Sequence, residues 1–175
     1  MIKHIIIIYR EIIDNQYRDL FRFRKYGITA WSPLEGGILT GKYMENKIPE
    51  GSRISSGKGR LPAVWEKNKA DWEPKFVKLQ TLAKEKLNCS LTQLSIAWCI
   101  RNNDVSTAIV GAMKPEQITE NLKALEVSKK LTKEILEEIE TIMKNSPKGE
   151  IDYFKSFSPM PIRRNIQEGI DKTEF

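Results

Sequence analysis

Apolar residues recur along this chain with two alternating spacings, and the alternation predicts strands separated by helices. Residues 5–9 form a run of isoleucines closed by Tyr9 and bounded by charge, as a fully buried parallel strand does. Asp14 or Asn15 can cap a following helix, in which Tyr17, Leu20, Phe21 and Phe23 recur at helical spacing. Gly27 ends that helix, and residues 28–31 (Ile-Thr-Ala-Trp) read as a second strand. Strand, helix and strand in this order make a βαβ unit and favour a parallel sheet.

Residues 46–70 are polar and rich in Gly, Ser, Pro and Lys, which predicts a long loop. Phe76, Leu79, Leu82, Ala83 and Leu87 then trace a helical stripe. Ser90-Leu91-Thr92-Gln93 matches a capping box, and it opens a helix over 92–101 that is apolar on nearly every side. Residues 105–110 read as a third strand. A helix follows with Pro115 at its first position, running to about residue 125, and a last helix spans 132–144. The Pro-, Lys- and Arg-rich stretch 151–175 reads as an extended tail, leaving 1–150 as one domain. Parallel strands with crossover helices fit either a doubly wound sheet or part of a (β/α)8 barrel.

Composition narrows the function classes. The net charge is +6, but cations and acids interleave along the chain, as on solvated helix faces, so nucleic acid is not the expected partner. The isoleucine run 5–8 is far too short to span a bilayer, and no small-residue cleavage site follows it. A cytoplasmic chain that does not span the membrane is the expectation. Cys89 and Cys99 stand apart from any second cysteine or histidine at ligand spacing. They are expected as buried reduced thiols, with no metal site.

The richest chemistry lies in Gly27-Ile-Thr-Ala-Trp-Ser-Pro-Leu-Glu-Gly-Gly-Ile-Leu-Thr-Gly-Lys-Tyr43. A buried strand there delivers a Pro- and Gly-rich turn and a lysine, which is one way to hold a phosphorylated ligand. It is neither a Walker A loop nor a Gly-x-Gly-x-x-Gly turn. Together with Gln93-Leu-Ser-Ile-Ala-Trp-Cys-Ile-Arg101, Gly111-Ala112, Glu116-Gln-Ile-Thr-Glu-Asn121 and Ile48-Pro-Glu-Gly-Ser-Arg53, this segment resembles the aldo-keto reductases. Within that family it is closest to the branch that includes the voltage-gated potassium channel β subunits.

The resemblance implies the last three strands of a (β/α)8 barrel with their helices, the barrel being incomplete in this chain. It also implies NADP(H) as cofactor. Trp31, Ser32, Pro33 and Leu34 would line the cofactor near its nicotinamide and pyrophosphate. Gly36 would allow close backbone approach, and Lys42 and Arg53 would face phosphate charge. Gly111, Met113, Gln117, Glu120 and Asn121 would hold the adenosine end at a helix N-terminus.

In that family the Asp, Tyr, Lys and His of hydride transfer come from the first four strands, which this chain does not carry. His4 is not that histidine, and Tyr9 and Tyr43 lack the Lys/Asp context such chemistry needs. Met113 and Gly51 stand where the channel subunits more often have polar or aromatic residues. The expectation is therefore the C-terminal, cofactor-binding half of a reductase that reduces small carbonyl compounds when whole, with no catalytic residue of its own. The alternative is a channel β subunit-like binding module that needs a partner, or a homo-oligomer, to complete the barrel.

Overall fold

The computed structural model describes residues 7–10, 27–45 and 47–147. Two strands, β1 (Ile28–Trp31) and β2 (Val105–Ile109), pair in parallel with Thr29 opposite Thr107, Ala30 opposite Ala108 and Trp31 opposite Ile109. An irregularity between Ile28 and Thr29 shifts the register, so that Ile28 meets Val105. A 3-10 helix, Glu35–Thr40, follows β1 at once. Among the described residues, five α-helices follow: α1 (Leu61–Leu87), α2 (Leu91–Ile100), α3 (Pro115–Leu122), α4 (Ala124–Lys129) and α5 (Lys133–Met143).

The connection from β1 to β2 carries α1 and α2, as a parallel pair requires. The capping box forms as the sequence predicts. Ser90 Oγ accepts from the Gln93 N–H at 3.2 Å, and Gln93 Oε1 accepts from the Ser90 N–H at 3.0 Å. Leu91, Leu94, Ile96, Ala97 and Cys99 are all buried, and they place α2 between the sheet and the helical layer. Ile28, Ala30 and Cys99 form a small core with Trp98, Val105 and Ala108 against it. The larger core gathers Phe76, Leu79 and Leu82 of α1 with Leu94, Val127, Ile139 and Met143.

Two sequence expectations need correction. The loop predicted over 46–70 ends ten residues early, because α1 begins at Leu61 with Pro62 in its first turn. Leu61, Trp65 and Trp72 are buried along that extension, and Pro74 lies inside the helix, so burial of large side chains outweighs polar composition there. The predicted first strand falls partly outside the described residues. Of its described part, Ile7 and Ile8 are buried in a turn and Tyr9 forms a single β-bridge, so the sheet has two strands among the described residues.

The helix expected over 17–24 and the tail expected over 151–175 lie outside the described residues. The helix expected to run from Pro115 to about residue 125 is divided at Lys123 into α3 and α4.

One face of the parallel pair is covered by α2 and the other is open. Thr107 and Ile109 are exposed, and so is Trp31 at the end of β1. Ile118 and Leu122 of α3 and Leu125 of α4 are exposed as well. Among the described residues, no helix is long and apolar enough to cross a membrane.

Candidate functional site

The parallel register brings the loops after β1 and β2 out of the same edge of the sheet. That edge, at the strand C-termini, is where α/β folds collect ligands. The turn after β1 is unusual in its backbone. Ser32 (φ 55°), Glu35 (φ 43°) and Gly36 (φ 63°) are all left-handed, and two of the three carry side chains. Such conformations persist only where surrounding contacts hold them, and they gather at functional turns. Here the Glu35 N–H donates to the Ser32 carbonyl at 2.9 Å and the Gly37 N–H to the Leu34 carbonyl at 2.9 Å. Pro33, Ile38 and Leu39 are buried beneath the turn and pin it to the core.

Across from this turn, residues 52–60 form a second, hydrogen-bonded loop. Ile54 and Ser52 are buried, the Ser56 N–H donates to the Ser52 carbonyl at 3.1 Å, and Ser56 Oγ donates to the Arg53 carbonyl at 2.9 Å. The two loops enclose a cleft of about 230 Å³ that includes Trp31, Ser32, Gly36, Arg53, Lys58 and Arg60 in its walls. That volume is below the roughly 300–1,000 Å³ of a whole small-molecule pocket, and it suits one phosphate-bearing end of a ligand.

Glu35 is 2% exposed, and its carboxylate forms an ion pair with the half-exposed Arg60. Arg60 also hydrogen-bonds Tyr9, whose hydroxyl pKa is raised by burial and by the nearby Glu35 charge, against the opposing pull of Arg60.

Four of the sequence-predicted residues, Trp31, Ser32, Gly36 and Arg53, share this cleft. Gly36 is there for space as well as conformation, because a Cβ would sit 2.8 Å from Leu61 Cδ2. Pro33 is buried in the core, and Leu34 packs against it. Lys42 is exposed but turns back over the Tyr43 ring, with Nζ 5.0 Å from its centroid, and is not among the residues of the cleft wall.

Of the second predicted group, Gly111, Met113 and Gln117 lie at the start of α3, whereas Glu120 and Asn121 fall in its last turn, away from the helix N-terminus where they were expected. Gly111 and Met113 are exposed, Met113 at 91%. Gln117 Oε1 accepts from the Met113 N–H at 2.7 Å and so closes the loop onto the helix. Glu120 Oε1 accepts from Gln93 Nε2 at 2.7 Å, and Glu120 Oε2 pairs with Lys123 Nζ at 3.0 Å. Asn121 is buried. The sequence reading missed Glu35, Lys58 and Arg60. Lys58 had a local signal, since it stands between two glycines, Gly57 and Gly59, that both adopt positive φ. The Glu35–Arg60 pairing spans 25 residues and had none.

The family model described as the aldo/keto reductase family matches residues 5–144. The chain belongs to the aldo/keto reductase family. Its relatives include a Schizosaccharomyces pombe protein named as a candidate voltage-gated potassium channel subunit beta, 46% identical over 147 residues. That match covers 80% of this chain and 41% of the relative. A rice (Oryza sativa subsp. japonica) protein named as a probable voltage-gated potassium channel subunit beta is 39% identical over 147 residues, covering 82% of this chain and 43% of its own length. The chain thus spans about two fifths of the length of the curated relatives it matches. Membership of this family implies a (β/α)8 barrel, and the two parallel strands with their helices are consistent with part of one.

Proposed function

We propose that this chain is the cofactor-holding part of an NADP(H)-dependent aldo-keto reductase and that it carries out no carbonyl reduction by itself. The observation that carries this reading is the cleft between the turn after β1 and residues 52–60. It brings Trp31, Ser32, Gly36 and Arg53 together beside two further cations, Lys58 and Arg60. The donor set fits an anionic, ring-bearing ligand: Trp31 offers an exposed apolar face, Ser32 a hydroxyl, and the cations charge.

In this reading Arg53 meets phosphate, and Trp31 and Ser32 border the ligand's ring-bearing portion. Gly111, Met113 and Gln117, which follow β2 and open α3, would hold the adenosine portion, with Glu120 and Asn121 of the last turn of α3 taking part through the same helix. Lys42 contributes only after turning away from the Tyr43 ring. Bound NADPH would supply the hydride for a small carbonyl substrate. The Asp, Tyr, Lys and His constellation that the family uses for that step has no counterpart in this sequence. Cytoplasmic residence belongs to the same reading, supported by two free cysteines, one of them fully buried.

The test is a calorimetric titration of the purified chain with NADP+ and with NAD+, alongside an aldehyde-reduction assay with NADPH. Saturable binding that favours NADP+, without turnover, is the expected result. Absence of saturable binding to either dinucleotide, or steady turnover by the isolated chain, would overturn the proposal.

A second reading, a channel β subunit-like accessory module, is favoured by the open sheet face and by the outer edge of β2, which pairs with no further strand among the described residues. It predicts that the chain forms a stable complex through that edge, either with a second copy or with a partner supplying further strands.

A further inference from the structure

Met113 is 91% exposed, whereas the other large apolar side chains that reach solvent among the described residues are 39–58% exposed. Its backbone is nevertheless fixed. Gln117 Oε1 accepts from the Met113 N–H at 2.7 Å and from the Lys114 N–H at 3.3 Å, which ties the residue to the first turn of α3. The thioether thus stands almost uncovered at a defined place on the loop between β2 and α3.

The other sulfur atoms of the described residues are protected in two ways. Met143 is 2% exposed in the main core, and Met44 is half-buried against that core. Oxidation of a cysteine proceeds through its thiolate. Burial raises the thiol pKa of both Cys89 and Cys99, that of Cys99 to about 12, so little thiolate forms near neutral pH. Lys130 pulls the Cys89 value down, but by less than burial raises it. A thioether needs no ionisation before it reacts, so access decides which methionine is oxidised first.

We propose that Met113 is an oxidation site: peroxide converts its thioether to the sulfoxide ahead of the other sulfur atoms described, leaves the fold intact and weakens dinucleotide binding at the loop that opens α3. The site and its selectivity rest on geometry, and the loss of binding rests on the proposed cofactor reading. In the step, a sulfur lone pair attacks one peroxide oxygen. An S–O bond forms as the O–O bond breaks, sulfur gives up two electrons, and the second oxygen leaves as water. Return to the thioether takes two electrons and two protons from a dithiol and releases water. Because the side chain lies outside the core, its oxidation removes no packing. The sulfoxide does place a polar group where an apolar, polarisable sulfur stood, and it forfeits the favourable contact of that sulfur with the adenine ring.

The experiment treats the purified chain with dilute hydrogen peroxide at neutral pH and follows each sulfur by peptide-resolved mass spectrometry. Melting temperature and calorimetric NADP+ affinity are measured before and after treatment. Met113→Leu, which has no sulfur to oxidise at this position, and Met113→Gln, which carries a polar side chain of similar length, are run alongside.

Met113 is expected to gain oxygen at least about tenfold faster than Met44, Met143, Cys89 or Cys99, with the melting temperature unchanged. NADP+ affinity is expected to fall about fivefold on oxidation. Met113→Gln should show that loss without peroxide, and peroxide should leave the affinity of Met113→Leu where it was. Oxidation of Met44 or Cys89 as fast as that of Met113 would overturn the site. Selective oxidation of Met113 with unchanged NADP+ affinity would overturn its coupling to binding while the cofactor reading stands. Wild type that binds neither NADP+ nor NAD+ would remove the cofactor reading and the coupling together, and selective oxidation of Met113 would then sustain the site alone.

Discussion

Trp31 and Ile109 stand opposite one another at the ends of the two parallel strands, and both are largely open to solvent, at 41% and 45%. Paired residues in adjacent strands share a face, so this pair marks the side of the sheet that α2 does not cover. Val110 and Met113, just beyond the end of β2, are exposed as well. Exposed patches of this kind drive association. Replacing Ile109 with lysine is expected to reduce self-association while shifting stability by no more than about 0.5 kcal/mol, the usual range for a surface change. Sedimentation velocity at rising concentration checks it. An association state unchanged by the lysine would show that this face is not the contact.

Gln93 has two jobs that can be separated. Its Oε1 accepts from the Ser90 N–H in the capping box, and its Nε2 donates to Glu120 Oε1 and, at 3.2 Å, to the Glu120 carbonyl. Ser90→Ala removes the cap alone and is expected to cost about 1 kcal/mol. Gln93→Ala loses the reciprocal cap and the tie to α3 and is expected to cost about 2 kcal/mol, one hydrogen bond more than the cap alone, since the half-exposed Glu120 keeps its Lys123 partner. Urea denaturation of the two variants should rank them in that order, and equal midpoints would mean that the Glu120 bonds add nothing.

That capping box was legible in the sequence because its parts lie three residues apart and each position carries its own local preference. The first half of α1 was not. Leu61, Trp65 and Trp72 are buried, but Glu66, Lys67, Asn68, Lys69 and Asp71 lie between the two tryptophans, and only the tertiary core shows which face turns inward. Ile7 and Ile8 failed in the opposite way. Their pattern correctly signalled burial, yet both residues lie in a turn and only Tyr9, the next residue, keeps a β-bridge. At the site, the Ser32–Gly36 turn was visible through its proline and glycines. The Glu35–Arg60 contact was invisible because nothing local joins residues 25 apart.

Gly36 combines φ 63° with a site where a methyl group would meet Leu61 Cδ2 at 2.8 Å. The leucine end can yield, so most of the penalty is conformational. Gly36→Ala is expected to lower stability by about 1–2 kcal/mol. It is also expected to weaken NADP+ binding, since the added methyl lies in the cleft wall. Thermal unfolding with and without NADP+ separates the two effects. A variant as stable as wild type would show that the turn relaxes freely.

Cys99 is fully buried, and loss of solvation pushes its thiol pKa up to about 12. The unfolded thiol ionises near 8.5. Because the folded pKa is the higher, the stabilising contribution is complete below the unfolded value and fades as pH rises towards about 12. The slope approaches about 1.4 kcal/mol per pH unit between those limits. Stability from urea titrations at pH 8 to 10 should fall accordingly, and Cys99→Ala, despite its own packing cost, should flatten that part of the curve. Thiol labelling gives a second check: half-buried Cys89 should react first and Cys99 only on unfolding.

Lys42 and Arg53 provide the sharpest comparison at the site, because family resemblance gives both to phosphate while the geometry separates them. Arg53 is part of the cleft wall, and the Lys42 ammonium rests over the Tyr43 ring, 5.0 Å from its centre. To reach a ligand, Lys42 must leave that ring, giving up a contact worth about 0.5–1 kcal/mol at an exposed site. Arg53 has no ring contact of this kind to surrender among the described residues. Arg53→Ala is therefore expected to weaken NADP+ binding about tenfold, equivalent to ~1.4 kcal/mol, and Lys42→Ala by less than about threefold. NAD+ binding should barely respond to Arg53→Ala if that guanidinium meets the extra phosphate. Calorimetric titration of both variants with both dinucleotides decides the matter. A larger loss at Lys42 would mean that the loop after β1 rearranges on binding and carries the lysine into the cleft.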